Sequence, residues 1–122
     1  MTDIPAAPKS ALVNQPPPSE RRSAQRFPLS VEFFYRPITT THGEIWWLAP
    51  VRNISTRGLG LVLQRSLTPG ALLEVELENP SKGFHRVVQA RVVHVQPTPS
   101  QGFLAGCAFV DNLNPDEVQA IL

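Results

Sequence analysis

The sequence predicts an all-β domain, a small six-stranded antiparallel barrel that ends in a short helix. From Phe27 onward, short apolar runs alternate with turn residues, a texture typical of strands rather than helices. The clearest run, LLEVELE at residues 72–78, alternates leucine or valine with glutamate and so has the period of a half-buried strand. Only at Asn114 does the pattern become helical.

The first 19 residues form a separate segment. They contain five of the 13 prolines and few large apolar side chains, a composition that cannot bury enough surface to fold. We therefore expect a flexible proline-rich tail over residues 1–19. One domain should follow over residues 20–122, including a basic arm at 20–27.

Each predicted strand is an apolar run bounded by turn residues. The six strands are expected at residues 30–36, 44–55, 59–64, 72–78, 85–95 and 103–110. Pro50 interrupts the second, and Gly106 in the last predicts a bulge or a close backbone approach. In the fifth strand, Val88, Ala90 and Val92 are expected to face the core.

The terminal helix has a recognisable start. Asn114 can serve as N-cap, Pro115 suits the first helical position, and Glu117 completes a capping box. A segment of about nine residues is shorter than the roughly 12–15 that a helix needs in water, so it must dock on the sheet. The side chains expected to dock are Val118, Ile121 and Leu122.

Composition narrows the functional classes. The formal net charge of +1 supplies no general field for long polyanions. The single cysteine, Cys107, lies in an apolar run, which excludes an intrachain disulfide and predicts a small core residue. Neither a signal peptide nor a membrane-spanning apolar run is seen, so we expect a cytoplasmic protein without membrane insertion.

The basic arm reads ERRSAQRF and holds Arg21, Arg22 and Arg26. A guanidinium group offers a planar fork for phosphate, a bidentate match to the guanine edge and a flat face for stacking. A guanine nucleotide would use all three properties. By itself, however, such an arm is more typical of a solvated basic segment than of a binding site.

A second polar cluster, NISTRG at residues 53–58, ends the second predicted strand. In an extended segment Asn53 and Ser55 point to the same side, so an amide and a hydroxyl can address one ligand edge. Gly58 is expected to permit a left-handed turn and a close ligand approach, and Arg57 adds an exposed guanidinium. An ordinary strand-ending turn would use the same residue types.

The two clusters together resemble the signature of the PilZ family. That signature is RxxxR in the arm before the first strand, followed by [D/N]xSxxG where a strand meets a turn. RSAQR supplies Arg22 and Arg26, and NISTRG supplies the second motif. The resemblance extends from about Glu20 to the C-terminus and implies a six-stranded antiparallel barrel followed by a helix.

The resemblance also implies binding of cyclic di-GMP, a bacterial second messenger. Arg22 and Arg26 would take guanine edges and phosphates, the Asn53 amide and Ser55 hydroxyl would bond a guanine, and the motif glycine would keep the turn open. We further expect Arg21, which is adjacent to the motif, to stack on a guanine and to favour a stacked pair of ligand molecules. The complete expected ligand-binding set is Arg21, Arg22, Arg26, Asn53, Ser55, Arg57 and Gly58.

Signalling would follow from ordering of the arm. Ordering roughly six residues costs on the order of 6–12 kcal/mol, and each arginine contact returns roughly 1–3 kcal/mol. The arm should therefore be loose without ligand and ordered with it. We expect this change to pass to a downstream partner protein.

Two other classes of function stay open. One is a PilZ-like adaptor that binds a protein without nucleotide. The other is a barrel that binds single-stranded nucleic acid, which needs a basic groove with exposed aromatics and is disfavoured by the +1 charge and the glutamates of 72–78. We therefore expect no polynucleotide partner.

No catalytic site is predicted. The sequence contains no nucleophile elbow or phosphate loop, and His42, His85 and His94 lack metal-ligand spacing. We thus expect neither an enzyme nor a bound metal or cofactor. Of the adjacent Trp46 and Trp47, one is expected to face the core and the other solvent.

Overall fold

The computed structural model describes residues 25–38, 45–100 and 102–122. Within these ranges the strands are β1 (Phe27–Pro28), β2 (Glu32–Pro37), β3 (Trp47–Ile54), β4 (Gly58–Leu63), β5 (Leu72–Asn79), β6 (Phe84–Pro97) and β7 (Phe103–Phe109). A 3-10 turn at Pro80–Lys82 joins β5 to β6, and the helix α1 (Pro115–Ile121) follows β7. The predicted tail at 1–19, Arg21, Arg22 and His42 lie outside the described residues.

Six of these strands close into an antiparallel barrel, which confirms the predicted fold. Their order is β3-β2-β5-β6-β7-β4, and pairing of β4 with β3 closes the sheet. The short β1 lies outside the closed sheet and pairs with the end of β3, where Phe27 is opposite Ile54 and Pro28 is opposite Asn53. The arm was predicted to end at Phe27 and the first strand run to cover residues 30–36, so a separate short strand paired with β3 was not predicted.

The period of two in the sequence correctly identifies the core faces. In β5 the three inward residues, Leu73, Val75 and Leu77, are fully buried, and the glutamates lie on the outer face. The inward residues of β6 are Val88, Ala90 and Val92, as predicted. Antiparallel sheets that cover a core on one face show this alternation.

The alternation in β6 breaks after Val92, where its register with β7 shifts. On β7, Gly106 lies opposite His94. A Cβ atom at this glycine would stand 2.5 Å from the His94 ring, so the close neighbour is a side chain and not the backbone that was predicted. The irregularity at this point lies between Val92 and His94 of β6.

The capping box of α1 forms as predicted. The backbone N–H of Glu117 donates to Asn114 Oδ1 at 2.8 Å, and the backbone N–H of Asn114 donates to Glu117 Oε1 at 3.0 Å. Val118 and Ile121 are buried, whereas Leu122 is 37% exposed and does not dock. Helix α1 therefore rests on two apolar side chains rather than three.

Polar contacts also attach α1 to the barrel. Asn79 at the end of β5 donates from Nδ2 to the carbonyl of Ile121 at 3.1 Å. Arg86 in β6 forms an ion pair with Glu117. The helix thus covers the barrel end where β5 finishes and β6 begins. It is too short to cross a bilayer, and the described ranges hold no other α-helix.

Neither tryptophan enters the core, so the expectation that one of them faces it is wrong. Trp46 precedes β3 and is half-buried. The guanidinium carbon of Arg36 lies over its ring, 4.6 Å from the ring centroid. Trp47 begins β3 and is 44% exposed, with Arg65 5.0 Å from its centroid. Trp47 is opposite the buried Tyr35 in the register, but it is the first residue of β3 and lies at the end of the sheet, where its ring stays accessible.

Candidate functional site

The two sequence motifs meet where β1 pairs with β3. Arg26 directly precedes β1, and the pairing of Pro28 with Asn53 brings the arm to the end of β3. Nη1 of Arg26 donates to Oδ1 of Asn53 at 2.5 Å, although the residues are 27 positions apart. The contact is exposed, so a guanidinium and an amide stand side by side on an accessible surface.

Ser55 lies beside this contact but is turned inward. The strand ends at Ile54, and Ser55 begins the turn, where it is 1% exposed. Its Oγ accepts hydrogen bonds from the backbone N–H groups of Arg57 at 3.1 Å and Gly58 at 3.2 Å. The expectation that Asn53 and Ser55 point to the same side and address one ligand edge together is wrong for the hydroxyl, because Ser55 lies beyond the end of β3 and is buried in the turn.

Gly58 is buried at the start of β4, for a reason the sequence did not indicate. Among the described glycines only Gly70, Gly83 and Gly102 have positive φ, so the predicted left-handed turn at Gly58 is wrong. A Cβ here would stand 2.0 Å from the carbonyl oxygen of Cys107 in β7. The residue must lack a side chain because β7 passes directly against it.

The turn between β3 and β4 is tied to the segment that leads into α1. The carbonyl of Arg57 accepts from the backbone N–H of Phe109 at 2.7 Å, and the carbonyl of Thr56 accepts from that of Leu113 at 2.8 Å. The Arg57 side chain itself is exposed. These bonds hold an exposed guanidinium at the same barrel end as Arg26.

Cys107 lies behind the site as a core residue, as predicted. Its side chain is buried, and burial raises the pKa of the thiol to about 12, an effect that the positive charge of Arg26 opposes. The thiol is therefore protonated near neutral pH and is not a nucleophile. Nowhere in the described ranges do three His, Cys, Asp or Glu side chains converge to hold a metal ion.

The comparison with protein families decides the identity of the fold. A model described as "PilZ domain" matches residues 20–122. The chain belongs to the PilZ family. In this PilZ domain, Arg26 of the arm motif and Asn53 of the turn motif are joined by the hydrogen bond described above.

Solved structures share the fold of this PilZ domain. The Bacillus subtilis inhibitor of motility MotI/DgrA matches with a TM-score of 0.65 and 20% identity, over 84% of this chain and 50% of its own. The PilZ domain with c-di-GMP of YcgR from Escherichia coli matches with a TM-score of 0.57 and 16% identity, over 84% of this chain and 88% of its own. The K. pneumonia MrkH–c-di-GMP complex matches with a TM-score of 0.55 and 21% identity, over 84% of this chain and 49% of its own.

This chain thus spans about half the length of MotI and MrkH. A search of curated proteins gave no match.

Two residues at this site of the PilZ domain were missed by sequence reasoning. Gly60 in β4 lies beside Asn53, and a Cβ there would stand 3.3 Å from Asn53 Oδ1, so the glycine leaves room for the amide. Arg52 is exposed next to Asn53 in β3. A glycine inside a strand pattern is the one signal that pointed to a close neighbour at position 60.

A small cleft adjoins the site of this PilZ domain. It has a volume of about 200 Å³ and lies between the root of the arm and α1. Gln25 and Phe27 line one side, and Pro115, Val118 and Gln119 line the other. The arm is therefore in position to contact the terminal helix.

Proposed function

We propose that this PilZ domain is a receptor for cyclic di-GMP, which binds at the barrel end where the arm meets β3. The hydrogen bond between Arg26 and Asn53 carries the proposal, because it joins the two motifs on an exposed surface. Membership of the PilZ family supports the choice of ligand. So do the YcgR and MrkH structures, both of which are described with c-di-GMP.

The chemistry of the exposed groups suits a guanine nucleotide. Arg26 presents a planar fork that matches O6 and N7 of guanine or two phosphate oxygens. The Asn53 amide offers both a donor and an acceptor to a base edge. Arg57 adds positive charge for the phosphates at the same end.

In this proposal the remaining motif residues act through the shape of the turn. Ser55 and Gly58 are buried and keep the turn closed against β7, which holds Asn53 and Arg57 in place. Arg22 would take a second guanine edge or phosphate. Arg21 would stack on a guanine and so favour a stacked pair of ligands.

The proposed output is ordering of the arm, which a partner protein reads. Arm ordering costs on the order of 6–12 kcal/mol, so the arm becomes ordered only when arginine contacts to the ligand offset that cost. We assign no reaction to the domain and place it in the bacterial cytoplasm, where a single unpaired thiol stays reduced.

Isothermal titration with cyclic di-GMP tests the receptor. Arg26→Ala should weaken binding about tenfold or more, since a bidentate base contact is worth roughly 1–3 kcal/mol. Arg65→Ala is the matched control, because it removes the same charge beyond the other end of β4, and it should leave affinity unchanged. GTP serves as the control ligand and should not bind.

The stoichiometry distinguishes a stacked pair from a single ligand. About two molecules per chain supports the pair, and about one contradicts the stacking role of Arg21. Absence of heat from the unaltered chain would contradict the receptor and leave the adaptor that binds protein without nucleotide.

A further inference from the structure

One row of side chains crosses the outside of the barrel on four adjacent strands. Leu48 of β3 lies opposite Phe34 of β2, Phe34 lies opposite Glu76 of β5, and Glu76 lies opposite Val87 of β6. We call Leu48, Phe34, Glu76 and Val87 the outer row. It lies away from Arg26, so its use goes beyond the proposed nucleotide site.

The outer row is unusually apolar for a solvated sheet face. Phe34 is 43% exposed, Leu48 49% and Val87 45%. Antiparallel sheets normally place polar residues on the face that water contacts. Grouped exposed apolar side chains on a small domain mark an interaction surface more often than scattered ones do.

The charge around the outer row is negative. Glu32 and Glu78 flank it and have no cationic partner among the described residues. Glu76 bonds His85 at 2.7 Å, and Glu74 is neutralised by Arg36 at 2.7 Å. The site end instead presents the exposed Arg26 and Arg57, so this face has the opposite sign to the site end.

The negative charge around the outer row indicates which kind of partner can bind there. A second copy would bring this glutamate-bearing face against the same face, which like-charge repulsion among Glu32, Glu76 and Glu78 of the two copies disfavours. A cationic partner gains both charge complementarity and burial of the apolar groups. The closed barrel offers no free edge on these strands, so a partner must dock on side chains rather than add a strand.

The spacing of the outer row matches one face of an α-helix laid across the strands. Adjacent strands lie about 4.8 Å apart, so the four side chains stand at about 0, 4.8, 9.6 and 14.4 Å. At about 1.5 Å per residue, helical positions i, i+3, i+7 and i+10 lie at about 0, 4.5, 10.5 and 15 Å. These four positions also share one side of a helix.

We propose that the outer row docks an amphipathic helix of a partner protein. The helix carries apolar residues at i, i+3 and i+10, which contact Leu48, Phe34 and Val87, and a lysine or arginine at i+7, which pairs with Glu76. Docking of a helix by spaced anchors is a common mode of recognition.

The test uses designed peptides of about 18 residues, longer than the roughly 12–15 that a helix needs in water. One carries leucine at i, i+3 and i+10 with lysine at i+7, a second differs only by glutamate at i+7, and a third is a scrambled sequence. Each is titrated into the full chain without nucleotide and followed by NMR amide shifts. The lysine peptide should bind with shifts centred on the outer row.

Three variants decide whether the outer row is responsible. Phe34→Ser should weaken binding about tenfold, the effect of removing a central anchor. Glu76→Lys should reverse the preference, so that the glutamate peptide binds more tightly. Val93→Ser is the matched control, because Val93 is 56% exposed but lies outside the row; it should bind as the unaltered chain does.

Several outcomes would overturn the proposal. These are equal binding of all three peptides, no shifts in the outer row, or a preference that Glu76→Lys leaves unchanged. Dimers in sedimentation that Phe34→Ser dissociates would assign the face to a second copy. Nuclear Overhauser contacts from Phe34 to residues 1–19 would assign it to the chain's own tail. Because no nucleotide is present, failure here is separate from failure of the receptor.

Discussion

Replacing Gly58 with alanine tests why the turn motif ends in glycine. The new Cβ would stand 2.0 Å from the Cys107 carbonyl oxygen and 3.2 Å from Cα of Ala108. Both are backbone atoms of β7 and cannot rotate away. Relieving the contact to an ordinary carbon–oxygen distance of about 3.3 Å requires β4 and β7 to separate locally by about 1.3 Å, which would lengthen ladder bonds of about 2.9 Å beyond hydrogen-bond range.

The expected loss in free energy of unfolding is about 3 kcal/mol, from overpacking of roughly 1–3 kcal/mol and weakened hydrogen bonds of about 1 kcal/mol each. Urea unfolding followed by tryptophan fluorescence measures it. With a slope of about 1–3 kcal/mol per molar urea, the midpoint should fall by about 1–3 M.

Gly60→Ala is the matched control in the same strand. Its Cβ would meet Asn53 Oδ1 at 3.3 Å, a side-chain atom that can yield, so the loss should be small. Equal losses in the free energy of unfolding for the two variants would refute the close approach of β7 as the reason for glycine at position 58. The better explanation would then be that Gly58 keeps the turn open for the ligand.

The remaining predictions concern buried groups and the helix cap. Ser55→Ala should lower the free energy of unfolding in urea by about 1–3 kcal/mol, because two turn N–H groups lose their acceptor; a negligible loss would contradict this role. Asn114→Ala should lower the free energy of unfolding by about 0.5–2 kcal/mol in the same assay, because the capping box is lost. No measurable loss would contradict a stabilising role of the capping box. The backbone N–H of Asn114, and then Arg86, lower the pKa of Glu117 from 4.5. Its stabilisation is therefore complete above pH 4.5 and is lost as pH falls through the lower folded-state pKa. The melting temperature of Glu117→Gln should lack this part of the pH dependence. If the melting temperatures of the variant and the unaltered chain change with pH in parallel, Glu117 is not the source of the dependence. Cys107, with its pKa raised to about 12, should react with thiol reagents at about pH 8 only after unfolding, and rapid labelling of the native chain would contradict its burial.

Local patterns were sufficient for most of the barrel. The alternation in LLEVELE specified which face of β5 is buried, and Asn114 with Glu117 specified the start of α1. Such features depend on residues a few positions apart, whose relation is set by strand or helix geometry. The short β1 was missed because two residues carry no period, and its only support is pairing with β3.

The site was predicted as two motifs whose proximity no local pattern could establish. Arg26 reaches Asn53 only because β1 pairs with the end of β3. Ser55 was interpreted as facing a ligand because it would share a side with Asn53 in an extended segment, and Gly58 because a glycine permits a left-handed turn and a close ligand approach. Their burial comes from β7 and the segment before α1, which are about 50 residues further along the chain.

The sequence by itself determined the all-β class, the positions of the six barrel strands along the chain, the helix start and the two motifs that resemble the PilZ signature. Period, capping and spacing each depend on residues that are close together in the sequence. Only the tertiary structure decided which remote groups meet: Arg26 with Asn53, Gly58 with the backbone of β7, and Phe34 with Leu48 on the outer face. Burial and register depend on strand pairing across the whole barrel, so the chemistry of each side chain is settled only when the sheet closes.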